Sequence, residues 1–241
     1  MKKIEFHCHT KGQSVCADVL DEALINDYVQ NGYDGIVITN HLNGTFNKYP
    51  GDTYEQKVDY LFSAIDRIKD KAKGLPLEFF CGLEIVALTD DGIHQEFIMI
   101  GIDKEFLLKN PLHSRYNQKE LFRIAQNNGF FMYQTHPFRN GEKTGDPRYM
   151  HGAEAFNGHY HHDNNNEKAQ KFCKENGLKM LAGNDYHHQG QPLIACGYIP
   201  KKINSDRQLA EYLMSNQPEI FYDQKRCLEE RQKYLNSIKE K

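Results

Sequence analysis

Histidine and carboxylate side chains recur along this chain in a pattern suited to metal chemistry. The opening stretch MKKIEFHCHT carries His7 and His9, followed by His41, Glu84, His94 and His136, and then by Asp185 and His187. On a strand, Glu5, His7 and His9 would share one face and Ile4, Phe6 and Cys8 the other. Two imidazoles one pleat apart can grip a cation, although the pair alone reads equally well as two solvated polar residues. Asp185 and His187 repeat that spacing. Imidazole and carboxylate without thiolate suit Zn²⁺, Mn²⁺ or Fe²⁺ rather than a structural cysteine site. A carboxylate such as Glu84 can bridge two ions. Two or three such ions can activate water and clamp a phosphoryl oxygen, as hydrolysis of a phosphate ester requires.

The elements that would position these groups alternate between helix and strand. After the first strand, Leu20, Ala23, Leu24 and Tyr28 form an apolar stripe that stops at Asn31-Gly32. GIVITNH is a β-branched run ending at His41. A second helix runs from Thr53, with Tyr54, Val58, Leu61, Phe62, Ile65 and Ile68 on one side, to Gly74. LEFFCGLEIVAL and HQEFIMIGI read as strands joined by the turn Asp90-Asp91-Gly92. Asn117 and Glu120 form a capping box for a third helix that stops at Asn128-Gly129. FFMYQTHP, GAEAFN and LKMLAGNDYH are further strands, with a helix from Asn164 or Glu167 to Asn176-Gly177 before the last. Ser205 and Gln208 open a helix over Leu209, Tyr212 and Leu213. The recurrence of helix, Asn-Gly and apolar strand implies parallel strands with helical crossovers in one domain, residues 1–241, ending in a charged helix at about 223–241. In a (β/α) barrel, groups at the C-terminal strand ends converge on one face.

HCHT, ITNH, GLEI, THPF and GNDYH, in that order, resemble the motifs of the PHP (polymerase and histidinol phosphatase) superfamily, from Ile4 to about His187. The resemblance implies a distorted (β/α)7 TIM-like barrel with two or three divalent ions at the C-terminal strand ends. It implies His7, His9, Glu84 and Asp185 on a first ion, with Glu84 bridging to a second held by His94 and His136. His41 and His187 would serve a third. Two positions depart from the pattern: Ser14 and Val15 stand where many members carry histidine or aspartate, and Asn40 precedes His41 in place of aspartate. Cys16 or Asp18 are the available substitutes for the missing ligand; otherwise the site holds two ions.

Composition narrows the remaining classes. The chain is 39% hydrophobic and 26% charged, with a net charge of −3. That balance argues against a nucleic-acid coat or an anionic-membrane binder. No stretch approaches the roughly 18 apolar residues of a membrane span, and the charged N-terminus shows no signal-peptide core, so a cytoplasmic location is expected. Six scattered cysteines without a C-x-x-C pair read as reduced thiols, with Cys8 and Cys81 as small core residues.

The leading expectation is hydrolysis of a small phosphomonoester by metal-activated water. Arg139 would pair with the phosphate, and His187 or His41, if not ligating, would protonate the leaving group. Hydrolysis of a C–N or C–O bond by an amidohydrolase-type centre is the alternative, and a non-catalytic metal-binding module a third. His159, His161 and His162, in GHYHHDNNN, are either substrate contacts or a solvated loop. Glu154 is either an orienting carboxylate or an ordinary strand residue, and His113, His151 and His188 are read as surface residues.

Overall fold

The computed structural model describes residues 1–90, 92–112 and 116–239. Asp91, in the expected turn, and His113 lie outside the described residues. In chain order the elements are β1 (Lys2–Cys8), α1 (Asp21–Gln30), β2 (Gly35–Ile38), β3 (His41–Leu42), α2 (Tyr54–Lys71), β4 (Glu78–Leu88), β5 (His94–Ile100), α3 (Lys104–Lys109) and α4 (Gln118–Asn128). They continue with β6 (Phe131–Gln134), β7 (Gly152–Asn157), α5 (Asn166–Asn176), β8 (Lys179–Gly183), β9 (Ala195–Ile199), α6 (Asp206–Ser215), β10 (Glu219–Tyr222) and α7 (Gln224–Lys239).

Local signals fix the main helices. A capping box of Thr53 with Gln56 starts α2, whose Val58, Leu61, Ala64, Ile65 and Ile68 are buried. Asn117 and Glu120 start α4 in the same way, and Gly129, at φ 70°, ends it in the left-handed region where glycine carries no Cβ penalty. Sequence periodicity did not reveal α3, β9 or β10, which are short.

The strands form one curved sheet in the order β10-β9-β1-β2-β4-β5-β6-β7-β8, with β3 beside β4. It is nearly closed. Past the end of β8, Tyr186 N donates to His7 O at 3.2 Å and His9 N donates to Tyr186 O at 3.0 Å. β1 therefore has β9 along its first half and the Asp185–His187 segment along its second. The result is the expected TIM-like barrel, distorted. Among the described residues no helix is long and apolar enough to cross a membrane.

Two strands depart from the all-parallel expectation: β9 runs antiparallel to β1 and β10, and β5 is reversed as well. β5 runs antiparallel to both β4 and β6. Its link from β4 is far shorter than the dozen or so residues of a crossover, so only a hairpin is available. This reversal places the start of β5, not its end, beside the C-terminal half of β4.

Strict alternation also fails in β1. The ladder with β2 shifts register between Glu5 and Cys8. Ile4 and Phe6 join a cluster with Val37, Phe80 and Tyr133, whereas Cys8 packs with Leu24, Tyr28 and Ile36. A second irregularity lies in β7 between Glu154 and Phe156. Such bulges re-aim side chains next to functional sites, and both flank the histidine cluster.

Candidate metal centre

The strand ends bring His7, His9, His41, Glu84, His136, Asp185 and His187 into one buried group; none is more than 9% exposed. Register explains part of it, because His41 on β3 lies directly opposite Glu84 on β4. Barrel closure explains the rest, because the Tyr186 ladder lays Asp185 and His187 along His7 and His9. Gly183 permits the close approach: a Cβ there would stand 2.7 Å from His7 Cβ and 2.9 Å from Glu154 Oε1.

Nε2 of His7 is 2.9 Å from Nε2 of His9, and Asp185 Oδ1 lies 3.3 and 3.4 Å from the two. Glu84 faces the same point from another side. Its Oε1 is 3.4 Å from His7 Nε2 and 3.3 Å from His136 Nε2, and its Oε2 is 3.0 Å from His41 Nδ1 and 3.5 Å from His9 Nε2. Glu84 Oε1 and His41 Nδ1 are nevertheless buried without a partner in hydrogen-bond geometry. Buried polar atoms left in this way cost about 1–3 kcal/mol each. Nitrogens and carboxylate oxygens that converge without hydrogen bonding are what a cation would satisfy, so the donor set fits divalent ions. Four overlapping groups can each hold one: His7 with His9 and Asp185, His7 with Glu84 and His136, His41 with Glu84 and Glu96, and His9 with His41 and His187.

The electrostatics agree. Burial raises the Glu84 carboxyl, but His7 and His41 outweigh it and hold the group well below the usual carboxylate range. Burial is likewise outweighed at Asp185, by His7, Arg139 and His187. Burial lowers His7, yet Glu154, Asp185 and Glu84 raise it well above the ordinary histidine value. His9 is pushed well below it by burial and by His187 and His41. The two Nε2 atoms, 2.9 Å apart, both face the point where a cation would sit.

Their other ring nitrogens are held from behind. Glu154 Oε1 is 2.8 Å from His7 Nδ1, Ser14 Oγ is 3.0 Å from His9 Nδ1, and the Asp185 carbonyl is 2.9 Å from His187 Nδ1. Such partners fix ring orientation and tautomer at metal sites. Glu154, fully buried, also accepts from His136 N at 2.7 Å and Asn157 Nδ2 at 2.9 Å. His136 and Asp185 sit at φ 28° and 49°, conformations that non-glycine residues hold only where surrounding structure imposes them.

His94 is not part of the group. It is exposed at the start of β5, opposite Leu88, and Glu96, two residues further along the same face, reaches the site instead. Glu96 Oε2 lies 3.6 Å from His136 Nε2. The antiparallel course of β5 is the reason: moving along it from His94 to Glu96 goes towards Glu84. The signal was present in HQEF as a carboxylate one pleat beyond the histidine.

At the two positions that depart from the PHP pattern, Ser14 supports His9, and Asn40 accepts from Thr10 N at 2.9 Å, tying the ends of β1 and β2 together. Cys16 Sγ lies 3.1 Å from His187 Nε2 and 3.4 Å from His41 Nε2. Burial would raise this thiol, but hydrogen bonds to His187 and His41 bring it to about 6. Asp18 instead meets His188 Nδ1 at 2.9 Å.

Arg139 is bound to Asp185 Oδ2 at 2.5 Å, Asn164 Oδ1 at 2.9 Å and Asn157 Oδ1 at 3.1 Å. Its Nη1 has no hydrogen bond among the described residues. His151 is not a simple surface residue, since its Nδ1 accepts from Met132 N at 3.0 Å and its ring stacks on Phe131. A cavity of about 530 Å³ opens onto the centre, lined by His41, Glu84, Glu96, His136, Arg139, Asp185 and His187, and by His159, His161, His162 and His188.

No family model matches the chain, and no curated protein does. Solved structures do. A two-domain protein from Bacteroides vulgatus, described as containing a predicted PHP-like metal-dependent phosphoesterase, aligns with a TM-score of 0.63 at 19% identity over 92% of this chain. The chain spans only 64% of that protein. PsfC from Pseudomonas syringae aligns with a TM-score of 0.69 at 15% identity, covering 98% of each chain. The lesion-specific endonuclease EndoQ from Pyrococcus furiosus aligns with a TM-score of 0.55 at 11% identity, over 91% of this chain and 57% of its own. At these identities the likeness is one of fold: the chain has the distorted barrel of the PHP-like proteins.

Proposed function

We propose that this protein is a metal-dependent hydrolase of PHP type that cleaves a small phosphomonoester. One observation carries the reading: Glu84 stands among the nitrogens of His7, His9, His41 and His136, with Oε1 buried and without a hydrogen bond. In this reading His7, His9, Glu84 and Asp185 hold one ion, and Glu84, Glu96 and His136 a second. His41 and His187 hold a third, with Cys16 in place of the usual ligand, or stay free when two ions are bound.

Divalent ions bound there would supply a water of lowered pKa and neutralise charge on the phosphoryl oxygens. The chain's own residues do the rest. Glu154 and Ser14 keep His7 and His9 in their tautomers. Arg139, braced by Asn157, Asn164 and Asp185, offers Nη1 to a phosphate oxygen in the cavity. If two ions were bound, His187 as the imidazolium would keep one proton on Nδ1 against the Asp185 carbonyl and hold the other on Nε2, 3.1 Å from Cys16 Sγ, for the leaving group.

The cavity volume, about 530 Å³, suits a small molecule. Net charge favours the same substrate class, but the fold is shared with an endonuclease, so fold alone gives no ground for excluding a polynucleotide. The test is turnover of the metal-loaded protein on an aryl phosphate, a nucleotide monophosphate, a lesion-bearing oligonucleotide and an aryl amide. Release of phosphate that stops on chelation and in Glu84→Gln supports the proposal. Cleavage of only the oligonucleotide or only the amide overturns the substrate class, and metal-independent phosphate release overturns the mechanism.

A further inference from the structure

Three histidines outside the centre also converge. His159 and His161 follow β7, and His188 follows the last residue of the centre. One ring nitrogen from each lies within 4.8 Å of the other two. All three line the cavity wall. The ring of His159 is centred 5.3 Å from that of His187, so the trio adjoins the metal centre without sharing a residue with it.

Each ring is held in place by a different element. His159 is 5% exposed, its backbone N donates to Asn157 Oδ1 at 3.0 Å, and its carbonyl accepts from Asn164 Nδ2 at 2.9 Å. Its Nδ1 is buried without a partner. His161 stacks on Tyr234 of α7, with ring centroids 4.2 Å apart and an interplanar angle of 25°. His188 Nδ1 is 2.9 Å from Asp18 Oδ1, which holds the proton on Nδ1 and leaves Nε2 able to ligate.

We propose that His159, His161 and His188 form a further cation site that takes a late first-row divalent ion, zinc above all, on the wall of the same cavity. Three imidazoles select zinc, nickel or copper over magnesium or calcium, which prefer oxygen ligands. Three protein ligands leave a fourth position open, as in catalytic rather than structural zinc sites. That position would accept water or an anionic oxygen of a molecule in the cavity. Asp18 is a positioning residue here, acting through His188.

The experiment is a zinc count on the full chain, stripped of metal, reloaded with excess Zn²⁺, desalted and measured by plasma mass spectrometry. His161→Gln and His188→Gln, each checked for folding by circular dichroism, should each retain one ion fewer than the unaltered protein. Asp18→Asn should keep that ion but release it to a competing chelator about 10-fold to 100-fold more readily. Equal zinc content in the unaltered protein and both glutamine variants would overturn the proposal. The count does not involve turnover, so it reads this site whether or not the centre around Glu84 hydrolyses phosphate esters.

Discussion

Glu154, on β7, holds Nδ1 of His7, on β1, at 2.8 Å, with neither side chain exposed to solvent. The carboxylate thereby fixes the ring so that Nε2 points at His9, Asp185 and Glu84. Glu154→Gln keeps the shape but removes the charge and one acceptor. It should weaken binding of the tightest ion about 10-fold to 100-fold, as loss of such orienting carboxylates does at other metal sites. Competition with a chelator of known affinity measures this, and unchanged affinity would remove Glu154 from the site's design.

Glu96 and His94 lie on one strand and one face, but only Glu96 reaches Glu84 and His136. Glu96→Gln should therefore lower the number of ions retained, or their affinity, while His94→Ala should leave metal content and turnover as in the unaltered protein. Metal content of the two variants, determined side by side, decides the point. The reverse result would restore His94 as the ligand.

Cys16 is the one exposed cysteine of the six. In metal-free protein near pH 7, iodoacetamide should label Cys16 well before the other five, because the thiolate is the reactive form. Zinc loading should slow that reaction by at least about 10-fold if His41, His187 and Cys16 hold an ion together. Peptide mapping by mass spectrometry follows the label, and equal rates with and without zinc would confine the thiol to a bystander.

Asp21, at the start of α1, pairs with Arg67 Nε at 2.6 Å and Lys71 Nζ at 2.9 Å, tying α1 to α2. Burial works to raise this carboxyl, but the two cations outweigh it and lower it from 3.8. A lowered acid stabilises the fold above its unfolded-state value and loses that contribution as pH falls through the folded-state value. Because both cations are partly exposed, Asp21→Asn should cost only about 1 kcal/mol at pH 7. Urea denaturation of metal-free protein should show the gap between variant and parent constant above about pH 5 and closing as pH drops below 3.8. A gap that persists unchanged in strong acid would mean that packing, not charge, is lost.

Much of the site was legible in the sequence because most of its residues mark strand ends. His7, His9, His41, His136, Asp185 and His187 stand at or just past strand ends, Glu84 lies within β4, and the structure gathers all seven. Helix boundaries at Thr53, Asn117 and Gly129 were legible for a similar reason, since capping depends on residues within one turn. His94 was expected in the centre and Glu96 passed over, because periodicity places both on one face and cannot say which end of that face meets Glu84. That depends on strand direction, which the hairpin set.

The sequence by itself determined the chemistry available, imidazole and carboxylate at strand ends in an alternating α/β chain, because residue type and local spacing act over a few residues. The tertiary structure alone decided which of those groups meet. The Tyr186 ladder laid Asp185 along His7, the reversal of β5 exchanged His94 for Glu96, and a bulge in β1 turned Cys8 away from Phe6. The packing of α7 against the loop after β7 brought His161 to His159 and His188. Each of these depends on contacts between residues distant in the chain, and such contacts exist only once the barrel closes.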